Sequence, residues 1–198
     1  PAADRLGLER TDVEVSDAGF IVADVSGRTA DPHILAVGDV AGEPMLAHKA
    51  THQAKLAVAA VRGKDISGGS HVVPAVVFTD PEVAWAGLTE TEAKATGRAY
   101  SVALYPWAAS GRAHSLGRPD GLTKWLIDPE TDCVVGFGIC GPGAGELIGE
   151  AVVAIQQKCT AADIGDAIHP HPTLSETLMN AADVHLGTAI EIYKPRRR

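Results

Sequence analysis

Large aromatic side chains are scarce in this chain. Phe, Trp and Tyr make up 5% of its 198 residues, so Ala, Val, Ile and Leu must fill most of any core. No apolar run reaches membrane-spanning length, and the first residues lack the pattern of a secretory leader, so no membrane role is expected. Positive charge is in deficit. The formal net charge is −8, which argues against general nucleic-acid binding. The one basic cluster, residues 194–198, reads as a solvated tail. Cysteine is limited to Cys133, Cys140 and Cys159, an odd number without CxxC spacing. That fits unpaired thiols in a reducing, cytoplasmic compartment and offers no metal site of finger type. Internal repeats and low-complexity tracts are also missing.

What is present divides in two. Residues 13–15 and 20–22 flank Ser16-Asp17-Ala18-Gly19 and read as a hairpin. The short apolar run 34–37 reads as a strand buried on both faces, with Asp39 at its carboxyl end, where ligands of open α/β sheets bind. Asp39 suits a sugar or polyol hydroxyl, and equally an ordinary loop aspartate. Residues 45–62 lack Pro and Gly and form the clearest helix, with Pro44 suited to its first turn. The start of that helix offers unpaired N–H groups to an electron-rich ligand. His48 and His52 stand i, i+4, but without a third ligand they read as polar helix positions rather than a metal site. Gly63 ends the helix, and residues 65–70 are a linker by composition. The domain boundary falls there, giving 1–69 and 70–198.

The second part is predicted as strands at 72–79, 83–88, 100–105, 122–128 and 133–140. Helices follow at 89–96, behind the capping box Thr89-x-x-Glu92, then at 146–158, from 160 and at 173–186. Strands with helices inserted, rather than βαβα alternation, imply an α+β domain on an antiparallel sheet with flanking helices.

Residues 169–176 read His-Pro-His-Pro-Thr-Leu-Ser-Glu. Each proline restricts its own φ and the residue before it, so His169 and His171 sit on a stiff, extended segment. A titratable ring followed by a carboxylate is an acid/base arrangement: the carboxylate orients one ring nitrogen while the other moves a proton. Thr173-x-x-Glu176 is also a capping box, and His-Pro pairs occur in ordinary loops. The spacing alone leaves both readings open.

Four stretches together resemble one family. Residues 29–39 (Thr-Ala-Asp-Pro-His-Ile-Leu-Ala-Val-Gly-Asp) with 45–49 (Met-Leu-Ala-His-Lys) look like the second flavin-binding segment of the pyridine nucleotide–disulfide oxidoreductases. Residues 78–90, 105–113 and 169–176 resemble the interface domain of that family's dihydrolipoamide dehydrogenase branch. The resemblance runs nearly end to end and implies an α+β interface domain preceded by the C-terminal segment of an α/β FAD-binding domain. It implies that Asp39 hydrogen-bonds the ribityl chain of FAD and that Met45, Leu46, Ala47 and His48 lie along the isoalloxazine. His171 becomes the base that deprotonates dihydrolipoamide, Glu176 its orienting carboxylate and His169 a bystander. A cis His171–Pro172 bond is expected. So are a homodimer, in which this histidine serves the other subunit's flavin, and a lipoyl-bearing acyltransferase of a 2-oxo acid dehydrogenase complex as partner.

The family also has a Gly-rich FAD-binding turn, a redox-active CxxxxC and an NAD domain, and the chain is read as lacking all three, G-x-G-x-x-G fingerprint included. It is therefore expected to be the C-terminal part of such an enzyme, inactive alone. A non-catalytic dimerisation module, and a fragment of a related disulfide reductase such as glutathione reductase, are the alternatives.

Overall fold

The computed structural model describes residues 1–64 and 71–192. The expected linker and the basic tail lie outside the described residues. The chain divides into two compact units, Pro1–Ser70 and His71–Arg198.

The first unit opens with two 3-10 turns (Ala3–Arg5 and Leu8–Arg10), and Ala3 of the first joins Ile21 and Ala36 in a small core. The expected hairpin is reduced to one bridge, Val15 to Ile21, around a turn closed by Gly19 N–H donating to Ser16 O at 2.8 Å. The strand expected at 34–37 is not formed. Leu35 makes a single bridge to Arg28, and Ile34 and Leu35 are only half-buried. A buried strand needs a hydrogen-bonded ladder on each side, and no second strand stands beside it among the described residues of this unit. Helix α1 spans Ala47–Val61. Met45 and Leu46 precede it, because Leu46 is extended (φ −135°, ψ 134°) and acts as the N-cap, its carbonyl accepting from Ala50 N–H at 3.1 Å. Pro44 consequently lies outside the first turn.

The second unit is built on one antiparallel sheet. Its strands are β1 (Ala75–Val77), β2 (Val83–Gly87), β3 (Ser101–Pro106), β4 (Leu122–Ile127) and β5 (Val134–Cys140), in the order β1-β2-β5-β4-β3. The α+β expectation holds. Register decides which side chains meet. Ala84, Ile139, Thr123 and Tyr105 form one row across the sheet, and Ala86, Phe137, Trp125 and Ala103 the next. All eight are buried. They alternate with Val83, Trp85, Val102, Leu104 and Leu122, which remain partly exposed on the other face, as a period of two requires. Small residues at Ala84, Ala86 and Ala103 leave room for the Trp125 and Phe137 rings, whose centroids are 4.4 Å apart. Strand β1 is shorter than expected. Ala75, Val76 and Val77 are in register with Trp85, Ala84 and Val83 of β2.

The helices of this unit are α2 (Glu90–Thr96), α3 (Gly111–Ser115), α4 (Ala144–Gln156), α5 (Ala161–Gly165) and α6 (Glu176–Leu186). Two of them cover the buried face. Helix α4 lies over β2 and β5, and α6 over β3 and β4. Capping boxes open α2 at Thr89/Glu92, as expected, and α5 at Thr160/Asp163. The buried stripe of α4 is Ala144, Ile148, Ala151 and Ala154, an i, i+3, i+4 pattern that matches the apolar face needed to pack on a sheet.

Candidate active site

Helix α6 starts at Glu176, not at 173, so the carboxylate stands at the first residue of the helix. The helix is fixed by buried Leu178, Ala181 and Ala182 and by the Trp125 indole, which donates to Leu178 O at 3.0 Å. A second set of polar bonds fixes the turn before it. Trp107 Nε1 donates to Thr123 Oγ1 (2.9 Å), Thr123 to Thr177 Oγ1 (2.8 Å), and Thr177 to Leu174 O (2.7 Å). Trp107, Thr123 and Thr177 have no solvent exposure.

Glu176 is thereby aimed at two groups. Its Oε2 accepts the Thr173 N–H at 2.7 Å, and its Oε1 is 2.9 Å from His171 Nδ1. The capping box is half-formed. The glutamate accepts as expected, but the Thr173 hydroxyl donates to Pro170 O at 2.7 Å instead of capping the helix. The His171–Pro172 bond is cis, as expected. The His171 side chain is 79% exposed and that of Glu176 only 17%. An ionised carboxylate only accepts, so Nδ1 carries the proton and Nε2 is the nitrogen left for chemistry. Beneath the helix, burial pushes the Tyr105 phenol up, and the charges of Glu191 and Glu176 add to that shift.

His169 behaves differently. Its side chain is 8% exposed, with Nδ1 2.8 Å from Ala167 O and Nε2 2.8 Å from Glu150 Oε1 on α4. Glu150 carried no signal in the sequence, since it lies nineteen residues away.

The five residues expected to face a flavin belong to the first unit. Asp39 is exposed within the 3-10 turn Gly38–Ala41. Met45, Ala47 and His48 are exposed, and Leu46 is half-buried. The turn is held to α1 by two residues given no role above. Gln53 Oε1 accepts Gly38 N–H at 2.8 Å, and Lys49 Nζ donates to Gly42 O. No side chain caps α1 at Leu46. An exposed carboxylate and the positive end of a helix dipole are a set that fits a polyol chain and an anionic ring edge.

Among the described residues no group of three His, Cys, Asp or Glu side chains is placed to hold a metal, and no helix is long and apolar enough to cross a membrane. All three cysteines are free. Residues 136–141 (Gly-Phe-Gly-Ile-Cys-Gly) do spell G-x-G-x-x-G, but five of the six lie inside antiparallel β5. The fingerprint works at a strand-to-helix turn, so these glycines do not form one.

The family described as pyridine nucleotide-disulphide oxidoreductase, dimerisation domain, matches residues 73–182, and pyridine nucleotide-disulphide oxidoreductase matches residues 2–54. The chain belongs to this family. It is 46% identical over 192 residues to the dihydrolipoyl dehydrogenase of Vibrio cholerae, covering 97% of this chain and 40% of that relative. It is 45% identical to that of Thermus scotoductus over 97% of this chain and 41% of the relative. Among solved structures, LpdA of Mycobacterium tuberculosis aligns at a TM-score of 0.85 and 30% identity, covering 92% of this chain and 40% of that one. The flavoprotein disulfide reductase RclA of Escherichia coli aligns at 0.80 and 26%, covering 90% and 41%. The chain thus spans about two fifths of the length of the relatives it matches.

Proposed function

We propose that this chain is the C-terminal part of a flavin-dependent dihydrolipoyl dehydrogenase and that His171 and Glu176 are its acid/base pair. The observation that carries the reading is the 2.9 Å contact of His171 Nδ1 with Glu176 Oε1 on a ring that is 79% exposed. His171 Nε2 takes a proton from a dihydrolipoyl thiol, and Glu176 steadies the imidazolium that results. The thiolate is the competent nucleophile toward a disulfide, which is why a base is needed. That disulfide and the NAD site belong to parts of the enzyme outside these 198 residues.

Asp39 would accept hydrogen bonds from the ribityl hydroxyls of FAD, and Met45, Leu46, Ala47 and His48 would line its ring at the start of α1. FAD, when bound, supplies a two-electron carrier between thiols and the nicotinamide. The wider reading includes a homodimer, a lipoyl-bearing acyltransferase as partner and a cytoplasmic setting. The dimerisation-domain match and the uncovered Val83, Trp85, Val102, Leu104 and Leu122 support the first. The three free thiols support the last. Relatives such as the dihydrolipoyl dehydrogenases of Vibrio cholerae and Bacillus subtilis, at 46% and 42% identity, favour lipoamide over another disulfide substrate.

The test is dihydrolipoamide oxidation by the full-length protein. His171→Gln should lower kcat by about 10²–10⁴, the usual contribution of a positioned base, and the 198-residue chain alone should turn over nothing. A His171→Gln enzyme working at full rate overturns the assignment.

A further inference from the structure

From Ala167 to Pro172 every residue except His169 is exposed, Ile168 at 99%. The arm that carries His171 thus has one side chain directed into the body of the domain. Both of its ring nitrogens lie 2.8 Å from an acceptor, Nδ1 from Ala167 O within the arm and Nε2 from Glu150 Oε1 on α4. Helix α4 is itself fixed to the sheet through buried Ala144, Ile148, Ala151 and Ala154. On the far side of His171, Thr173 and Glu176 tie the chain to α6.

We infer that His169 and Glu150 are positioning residues for His171: the His169–Glu150 bond anchors the near end of the arm, as Glu176 anchors the far end. An exposed ring makes few packing contacts, so its placement depends on where its backbone is held. Three helices hold that backbone here: α5 through Ala167 N–H to Ile164 O at 3.3 Å, α6 through Glu176, and α4 only through this pair among the bonds described. A catalytic ring needs this support because a displacement near 1 Å loses much of the benefit of orientation. The inference rests on the acid/base reading for what His171 does, but not for where His171 is held.

The experiment therefore uses no turnover, flavin or thiol, and its failure is separable from failure of that reading. The 198-residue chain is studied by NMR, reading the two ring ¹⁵N shifts of His171 and hydrogen exchange at the Thr173 amide, which donates to Glu176 Oε2. Glu150→Ala should move the His171 ring shifts from one dominant tautomer toward a mixture and raise Thr173 exchange about tenfold. Glu150→Gln keeps an oxygen acceptor for His169 and should restore both readouts toward wild type. His169→Ala should repeat the Glu150→Ala result from the other side of the bond, so a folding defect in one variant leaves the other to decide. Unchanged His171 shifts and Thr173 exchange in either folded variant overturn the inference, whatever happens to the melting temperature.

Discussion

Thr123→Val removes the middle link of the buried chain that runs from Trp107 through Thr123 and Thr177 to Leu174 O. The two side chains have nearly the same shape, so little void is created. The Trp107 N–H then faces a methyl group in a site without solvent. Thr177 keeps its bond to Leu174 O and loses only an incoming donor. The loss is thus one unsatisfied buried donor, about 1–3 kcal/mol, against roughly 0.8 kcal/mol gained by burying an extra methyl. A net destabilisation of up to about 2 kcal/mol follows, at roughly 2–4 °C of melting temperature per kcal/mol for a chain of this size.

The assay that isolates the cause is a double-mutant cycle with Trp107→Phe, read by urea denaturation. Without the indole N–H there is no donor to strand, so Thr123→Val should be close to neutral in the Trp107→Phe background. The coupling expected is about 1 kcal/mol. Equal costs in both backgrounds would refute the reasoning and reduce the chain of bonds to a coincidence of packing.

Two further outcomes are expected. An added Cβ at Gly141 would stand 2.3 Å from the Trp107 ring at φ +150°, so Gly141→Ala should cost about 3 kcal/mol. Gly138→Ala, where nothing lies within 4 Å, is the control and should leave the urea midpoint nearly unchanged. The second concerns acid. Glu92 is held below its ordinary 4.5, first by the Thr89 hydroxyl, and Asp163 below 3.8, first by the Thr160 N–H. In both cases the folded value is the lower one. The stability they contribute is complete above the ordinary values and is lost as pH falls through the folded ones. A Glu92→Gln, Asp163→Asn double variant should show a flatter loss of stability below about pH 4.5 than wild type, and an identical profile would count against these caps as acid-sensitive.

The second unit was legible because its signals are local and repeated. Alternation along β2, β3 and β4, turn residues between β4 and β5, and Thr89-x-x-Glu92 each act within a few residues. The first unit was less so. The run 34–37 has the composition of a central strand, but composition cannot supply neighbours, and Leu35 has one bridge instead of a ladder. The start of α1 slipped for a different reason. Met45 and Leu46 are good helix formers, and propensity does not register that Leu46 is extended. Gln53 and Thr123 act through bonds spanning 15 and 54 residues, which no sequence window contains.

The two histidines mark where the sequence stops informing the site. In an extended chain, residues two apart share a face, so His169 and His171 on a straight segment would present equivalent rings. The backbone bends at 171–172 instead, and one ring is 8% exposed while the other is 79%. The residue types, the spacing and the prolines are the same for both. What separates them is the carboxylate each one reaches. Glu176 is local and holds an outward ring on a helix start, whereas Glu150 lies on another helix and draws its ring inward. A base must be both oriented and accessible, and only the ring paired with Glu176 meets both conditions. On the acid/base reading proposed above, the choice between two chemically identical side chains is made by tertiary contact, and the ring not chosen is the one inferred to hold the other in place.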